Sequence, residues 1–258
     1  MPNYIGHINK WKERANIDFF TEFVKAWIPF NAWMSINYVN LETDRAIINE
    51  IKRDSSIKTK IKYFLKNDEQ ECMDFKNYLS RFHRILEELE LKNNRNCVNF
   101  TNVVIERNKE EKYEFFIRGL QYKALYDKSQ KKFVAVIINS KKNEIFNSIK
   151  DEYDYDEFCK YIEKKELSDV QKGYIKSAYQ AINPFIPKNL IATDENSCIN
   201  IGSYKFCDDI DLISKAIIEN LYSLRCMLFH GDIEPKEDTN ELFASAYFIL
   251  KYILKALD

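Results

Sequence analysis

The segment ENLYSLRCMLFHG, residues Glu219–Gly231, predicts a helix that is apolar on two sides. With about 100° of rotation per residue, one side is the stripe of Ala216, Ile217, Asn220, Leu221, Leu224 and Leu228. The opposite side carries Tyr222, Cys226 and Phe229. A helix that is apolar on both sides needs a second surface to cover it. We therefore expect a packed core on one side of this helix and a further partner on the other.

Arg225 and His230 point away from the core stripe, on opposite flanks of the outer side. They are about 7.5 Å apart along the axis at 1.5 Å per residue. Arginine offers a charged planar fork suited to phosphate, and histidine exchanges a proton near neutral pH. RNA cleavage by its own 2′-hydroxyl needs a base, an acid and a cation against the phosphorane. One such pair cannot easily provide all three, whereas two chains across a twofold axis would bring two of each.

Composition favours a helical, globular protein. The chain has 258 residues, of which 45% are apolar, so a sizeable core is possible. Only 5 glycines and 5 prolines occur, which leaves few obligatory breaks and favours long helices. The net charge of −1 excludes a strongly basic nucleic-acid coat protein, so that any site for a polyanion must be a local patch.

Several classes of site are excluded by the residue types. Scattered glycines cannot form a Walker or Rossmann phosphate loop, and three histidines with six dispersed cysteines make a metal site improbable. We expect no metal and no cofactor. The sequence shows no membrane-length apolar run and no signal-type N-terminus, so we expect no membrane association, a cytoplasmic location and reduced cysteines.

The periodicity of apolar residues predicts an α+β, predominantly α fold. Helical patterns cover about 18–39, 42–65, 68–91, 155–166, 168–182, 208–230 and 239–257. Pro29 should kink the first helix or mark a change from one helix to the next, and the second pattern has a possible break near Ser55 and Ser56. Alternation of period two over 97–138 predicts a small antiparallel sheet with a hairpin loop at 126–133, and 199–206 predicts a short hairpin with Gly202 in its turn.

These patterns divide the chain into three parts. Residues 1–94 would supply the N-terminal helices of a bundle, and residues 207–258 its C-terminal helices. Residues 95–206 would form an inserted elaboration with the sheet and extra helices.

Other candidate residues give weaker signals. Asn31 could hydrogen-bond toward Arg225 and His230, or be a satisfied core amide. Weak candidates for RNA contact are Arg81, Arg84, Lys128, Lys131 and Lys132. For His83, between the two arginines, we expect a solvated helix face rather than a phosphate contact.

The pattern Arg-x4-His at Leu224–Gly231, on the penultimate helix of a mainly helical domain, resembles the signature of the HEPN superfamily. The aromatic segment Phe23–Trp33 is similar to the first helix of some HEPN subgroups. The resemblance covers about 15–91 and 208–257 and leaves the insert unexplained. The sequence departs from it at Cys226 and Met227, where many members carry a polar residue, commonly asparagine.

The resemblance implies a bundle of four or five helices, usually dimeric, with the motifs of both chains meeting at the interface. Arg225 and His230 would be the catalytic pair, and Glu219 would match the acidic residue that often precedes the motif. The implied activity is a metal-independent endoribonuclease that leaves 2′,3′-cyclic phosphate and 5′-hydroxyl ends. A toxin or anti-phage role would follow, restrained by an antitoxin or activator protein.

Three alternatives remain from the sequence. One is a catalytically inactive HEPN module that binds RNA or a partner protein. Another is a scaffold whose doubly apolar helix packs an obligate dimer. In the third, His230 has no catalytic role and lies where the helix dipole favours an imidazolium, and Arg225 is a surface partner of Glu219 or Asp232.

Overall fold

The computed structural model describes residues 17–93, 96–106, 108–192 and 197–255, together with Ile8 and Leu257. The fold is α+β, as predicted, with eight helices and eight short strands in this part of the chain. The helices are α1 (Phe19–Asn37), α2 (Asp44–Arg53), α3 (Ser56–Lys66), α4 (Gln70–Leu89), α5 (Tyr155–Glu163), α6 (Asp169–Ala181), α7 (Ile210–His230) and α8 (Glu237–Leu254). The strands are β1 (Lys92–Asn93), β2 (Asn96–Cys97), β3 (Lys112–Ile117), β4 (Leu120–Asp127), β5 (Lys132–Asn139), β6 (Glu144–Lys150), β7 (Cys198–Ile201) and β8 (Tyr204–Cys207).

The chain forms two compact units, 1–105 with 187–258 and 106–186. In the first unit, α1 and α4 pack along α8, while α2 and α3 pack along α7. A single apolar core fills the space among these helices, with Phe23, Phe64, Phe75 and Phe243 completely buried. Helices from both the N-terminal and the C-terminal part of the chain therefore contribute to one apolar core.

Helix α1 runs without interruption through Pro29. The alternative in which one helix ends and another begins at this proline is therefore wrong. Pro29 itself is exposed, whereas Trp27 and Phe30 beside it are buried, so that packing holds the helix on both sides of the missing hydrogen bond.

The break predicted near Ser55 and Ser56 is confirmed. Helix α2 ends at Arg53, and the Ser55 hydroxyl accepts a hydrogen bond from the Lys58 backbone N–H at 3.0 Å, which caps α3. Two helices therefore stand where one continuous pattern extends over 42–65.

Residues 98–105 do not form the predicted strand. Val98, Phe100, Val103 and Ile105 are buried in the core of the helical unit, yet the chain there is irregular apart from isolated bridges at Val103. Alternating apolar residues reached the core without a neighbouring strand, so the period of two indicated burial rather than a ladder.

The second unit contains residues 106–186, which is a shorter range than the predicted elaboration of residues 95–206. The hairpin β7–β8 lies in the first unit, against α4. Gly202 in its turn has φ +57°, and a Cβ atom there would stand 2.5 Å from the Cβ of Ser80. Only glycine allows this approach, so the turn residue predicted from sequence also fixes where the hairpin packs.

The second unit is an antiparallel sheet in the order β3-β4-β5-β6 with α6 packed across it. Strands β4 and β5 pair from Leu120↔Asn139 to Asp127↔Lys132, which confirms the predicted hairpin loop. Ser168 and Gln171 form a capping box at the start of α6. The second unit has an apolar core of its own.

His83 is buried, so the expected solvated face is wrong at this position. Its side chain is among the rings of Phe100, Tyr204 and Phe206, with centroid distances of 5.8, 4.5 and 5.4 Å. Burial lowers the pKa of His83, and the nearby Glu87 carboxylate opposes this effect. The position belongs to the aromatic core rather than to a phosphate site.

Acidification is expected to destabilise the protein through His83. The folded state binds this proton less readily than the unfolded chain does, so the unfolded chain takes up more protons as the pH falls through the ordinary range of histidine. Urea unfolding of wild type and His83→Phe at about pH 7.5 and pH 5 measures the effect. The variant should lose less stability on acidification, and an unchanged pH dependence would contradict the assignment.

Candidate functional site

Helix α7 presents His230 as its last residue. Gly231 follows with φ +77°, its N–H donates to the Leu228 carbonyl at 3.3 Å, and the Asp232 N–H donates to the Met227 carbonyl at 2.9 Å. This is a Schellman ending, which needs the left-handed conformation that glycine adopts readily. His230 is exposed at the end of the helix.

Glu219 is 8% exposed and binds two cations from α2. The Arg45 Nη1 donates to both carboxylate oxygens at 2.7 and 2.8 Å, and the Lys52 Nζ donates to Oε2 at 2.6 Å. Lys52 also donates to the Ile105 carbonyl at 2.5 Å. A buried carboxylate is stable only with such partners. Glu219 therefore stabilises the packing of α2 against α7.

Arg225 pairs with Asp44 of α2, not with Glu219 or Asp232. The Arg225 Nη2 lies 3.3 Å from Asp44 Oδ2, and the guanidinium carbon lies 4.9 Å from the centre of the Phe229 ring. The side chain is 25% exposed. Its Nε atom is buried and has no hydrogen-bond acceptor among the described residues. The guanidinium therefore keeps a donor that its own chain does not use.

The outer side of α7 is covered in large part by its own chain. The Arg45 guanidinium stands 4.5 Å from the centre of the Tyr222 ring, which is 7% exposed. Burial, the larger cause, and the hydrogen bond with the Cys226 thiol, the second cause, together raise the pKa of Tyr222 to about 12. The expectation that a separate partner must cover Tyr222 is thus wrong, because α2 covers it. Phe229, at 57% exposed, is the large apolar side chain that remains open beside Arg225.

One chain does not bring Arg225 and His230 to a common point. Five residues on one helix place them about 140° apart around the axis. Arg225 is turned toward Asp44 on α2, and His230 is exposed at the helix end.

The weaker candidates lie elsewhere. Asn31 is exposed on α1, a helix that packs along α8, so it is not a core amide. Arg81 pairs with Glu241 at 3.1 Å and Arg84 with Glu88 at 2.8 Å, both on the surface of the first unit.

The three lysines belong to the second unit, around the β4–β5 turn. The Lys128 Nζ is 2.6 Å from Glu111, and the Lys132 Nζ is 3.6 Å from Asp151. Lys131 is exposed within the turn, with φ +55°.

Asp44, Arg45 and Lys52 were not identified from the sequence. The signal that points to Lys52 is its place four residues after Ile48, on the buried stripe of α2. A lysine in a buried stripe requires a carboxylate or carbonyl partner. The identity of that partner, Glu219, depends on tertiary contacts between distant parts of the chain.

The structure distinguishes the two positions where the sequence departs from the resembled signature. Met227 is 2% exposed and faces the core, whereas Cys226 is half-buried on the outer side. We expect Cys226→Asn to change stability by less than about 1 kcal/mol, and Met227→Asn to destabilise by about 2–4 kcal/mol because an amide enters the core. Urea unfolding of both variants tests this, and equal costs would contradict it.

No described helix is long and apolar enough to cross a membrane. No group of three or more His, Cys, Asp or Glu side chains in the described ranges is arranged to hold a metal ion.

No protein-family model, no curated protein and no solved structure matches this chain.

Proposed function

We propose that this protein is an endoribonuclease of HEPN type in which Arg225 and His230 act on the scissile phosphate. The observation that supports it most is the Arg225 guanidinium, which is partly exposed and has an unused Nε donor, about one and a half turns before the exposed His230 on α7. A permanent cation and a proton-exchanging group are what transesterification of RNA requires.

In this mechanism the RNA 2′-hydroxyl attacks the adjacent phosphorus, and the bond to the 5′-oxygen breaks. His230 takes the proton from the attacking hydroxyl or gives one to the leaving oxygen. Arg225 stabilises the phosphorane, which carries more negative charge than the phosphodiester. The products are a 2′,3′-cyclic phosphate and a 5′-hydroxyl.

The proposal includes a homodimer. Base and acid act on opposite sides of the phosphorus, and one chain supplies a single histidine at α7. A twofold arrangement of α7 helices would supply the second.

Asp44 sets a condition on this site. Its carboxylate lies 3.3 Å from the Arg225 Nη2, where a phosphate oxygen would bind. An incoming phosphodiester must therefore displace Asp44 or share the guanidinium with it.

The test is incubation of the purified protein with total RNA in EDTA, followed by analysis of the product ends. We expect cleavage with cyclic phosphate and 5′-hydroxyl ends. The doubly substituted Arg225→Ala/His230→Ala protein, purified identically, controls for contaminating nucleases. Cleavage that stops with the chelator, or that leaves 5′-phosphate ends, would contradict the proposal.

A toxin or anti-phage role is the biological part of the proposal. Induced expression of the wild type should arrest growth of a bacterial host, and expression of His230→Ala should not. Equal arrest by both proteins, at equal expression, would favour the inactive module that binds RNA or a partner protein.

A further inference from the structure

The outer side of α7 continues past Arg225 toward the start of the helix. Asp211, Lys215 and Tyr222 lie on the same side as Arg225 at about 100° per residue. Lys215 and Arg225 are ten positions apart, which is about 15 Å along the axis. This side therefore connects the proposed catalytic arginine with a second group of charged residues.

Three lysines meet at Asp211 and are called here the lysine cluster. The Nζ atoms of Lys58 and Lys62 are 2.7 and 2.6 Å from Oδ1, and the Nζ of Lys215 is 3.2 Å from Oδ2. Burial opposes ionisation of Asp211, but the three ammonium groups outweigh it and hold its pKa below the ordinary value. One carboxylate thus faces three cations that repel one another.

Arg45 lies between the lysine cluster and Arg225. Its side chain is 46% exposed above Tyr222, and its Nη1 is the nitrogen that binds Glu219. The ion pairs on this side join the cations Arg45, Lys52, Lys58, Lys62, Lys215 and Arg225 to the carboxylates Asp44, Asp211 and Glu219. Among the described residues these ion pairs join six cations, of which Lys52 and Lys58 are buried, to three carboxylates, in a chain whose net charge is −1.

We infer that this side of α7 binds the backbone of single-stranded RNA, with Arg45 and the lysine cluster contacting phosphates beyond the one at Arg225. The inference rests on the proposed function and extends it to the substrate-binding surface. Spaced cations along a line suit successive phosphates, and they need no base sequence. The exposed ring of Phe229 offers a stacking surface for an unpaired base, which favours a single strand over a duplex.

Binding is tested with a fluorescent 2′-O-methyl oligoribonucleotide of about 12 residues, a length within the range of single-strand sites. Such a probe lacks the attacking hydroxyl, so affinity is measured without cleavage. For Lys62→Glu/Lys215→Glu we expect at least about tenfold weaker binding. The slope of the logarithm of the binding constant against the logarithm of the salt concentration should become shallower by about one to two, which corresponds to the loss of about one to two phosphate contacts. Lys25→Glu/Lys251→Glu, with the same charge change on exposed residues of α1 and α8 in the same unit, should bind like the wild type.

A milder variant guards against misfolding. Lys62→Gln/Lys215→Gln removes the same two charges without reversing them, at side chains that are partly exposed, and should weaken binding in the same direction. Thermal denaturation verifies that each variant is folded. Unchanged affinity in both lysine-cluster variants, or an equal loss in the Lys25→Glu/Lys251→Glu control, would overturn the inference. Stronger competition by polyglutamate than by unlabelled RNA would also overturn it, in favour of an acidic polypeptide.

The two proposals can fail separately. A dinucleotide spans only the region of Arg225 and His230, so the lysine-cluster variant should cleave it at the wild-type rate. If the wild type cleaves no RNA but binds the oligonucleotide through the cluster, the nuclease proposal fails and the surface remains. If cleavage stands and the cluster does not affect binding, only the inferred surface fails.

Discussion

Substitution of His230 by alanine is expected to slow RNA cleavage by about 10²–10⁴-fold, the usual contribution of one general acid or base. His230 is exposed at the end of α7, so its removal should leave the fold intact. Initial rates on a defined oligoribonucleotide, with unfolding curves recorded in parallel, measure both effects. His83→Phe is the matched control, because it replaces a histidine that lies in the core.

Arg225→Ala should cost about 10²–10³-fold in the same assay, as expected for loss of a group that stabilises the developing charge. Arg225→Lys should restore little, because an ammonium cannot reproduce the planar fork.

A rate for His230→Ala within a factor of about three of the wild-type rate would remove this histidine from the mechanism.

Glu219→Ala should lower the free energy of unfolding by about 3–5 kcal/mol, since it removes the carboxylate from a buried cation. Lys52 is 3% exposed and would keep the Ile105 carbonyl but lose its ion pair with Glu219. The effect should spread to α2, which carries both Asp44 and Arg45. We therefore expect cleavage to fall as well, even though Glu219 does not contact Arg225.

Glu50→Ala is the control for Glu219. Glu50 also pairs with an arginine of α2, but on the surface, where the Arg53 side chain is 73% exposed, so its loss should cost less than about 1 kcal/mol. Restoring an apolar pair with Glu219→Leu/Lys52→Met should recover much of the stability. Equal unfolding midpoints for Glu219→Ala and Glu50→Ala would show that the buried ion pair does not hold α2 to α7.

Local sequence signals predicted much of the fold. The positions of α7, the Gly231 ending, the break at Ser55 and the hairpins of the two small sheets all depend on residues near each other in the chain. Caps and turns act over three or four residues, so they can be read directly. The path of residues 98–105 could not be predicted in this way. Their alternating apolar side chains predict a strand, but the segment is irregular because it packs into a core formed by distant helices.

The candidate site was predicted only in its α7 part. The spacing of Arg225 and His230 shows which side of the helix they share, but nothing in that segment indicates Asp44 or Arg45. Those residues reach α7 because Lys52 and Arg45 bind Glu219 across 167 and 174 positions of sequence. Contacts at such separations leave no periodic pattern in the sequence.

The central claim is that the active centre needs α7 from two chains. It is tested most directly by measuring cleavage in mixtures of wild type with Arg225→Ala/His230→Ala at constant total protein, after exchange of subunits. If both chains must contribute, activity should fall with the square of the wild-type fraction, to about a quarter at an equal mixture. Activity that falls in direct proportion, to about half, would show that each chain acts alone and would contradict the account.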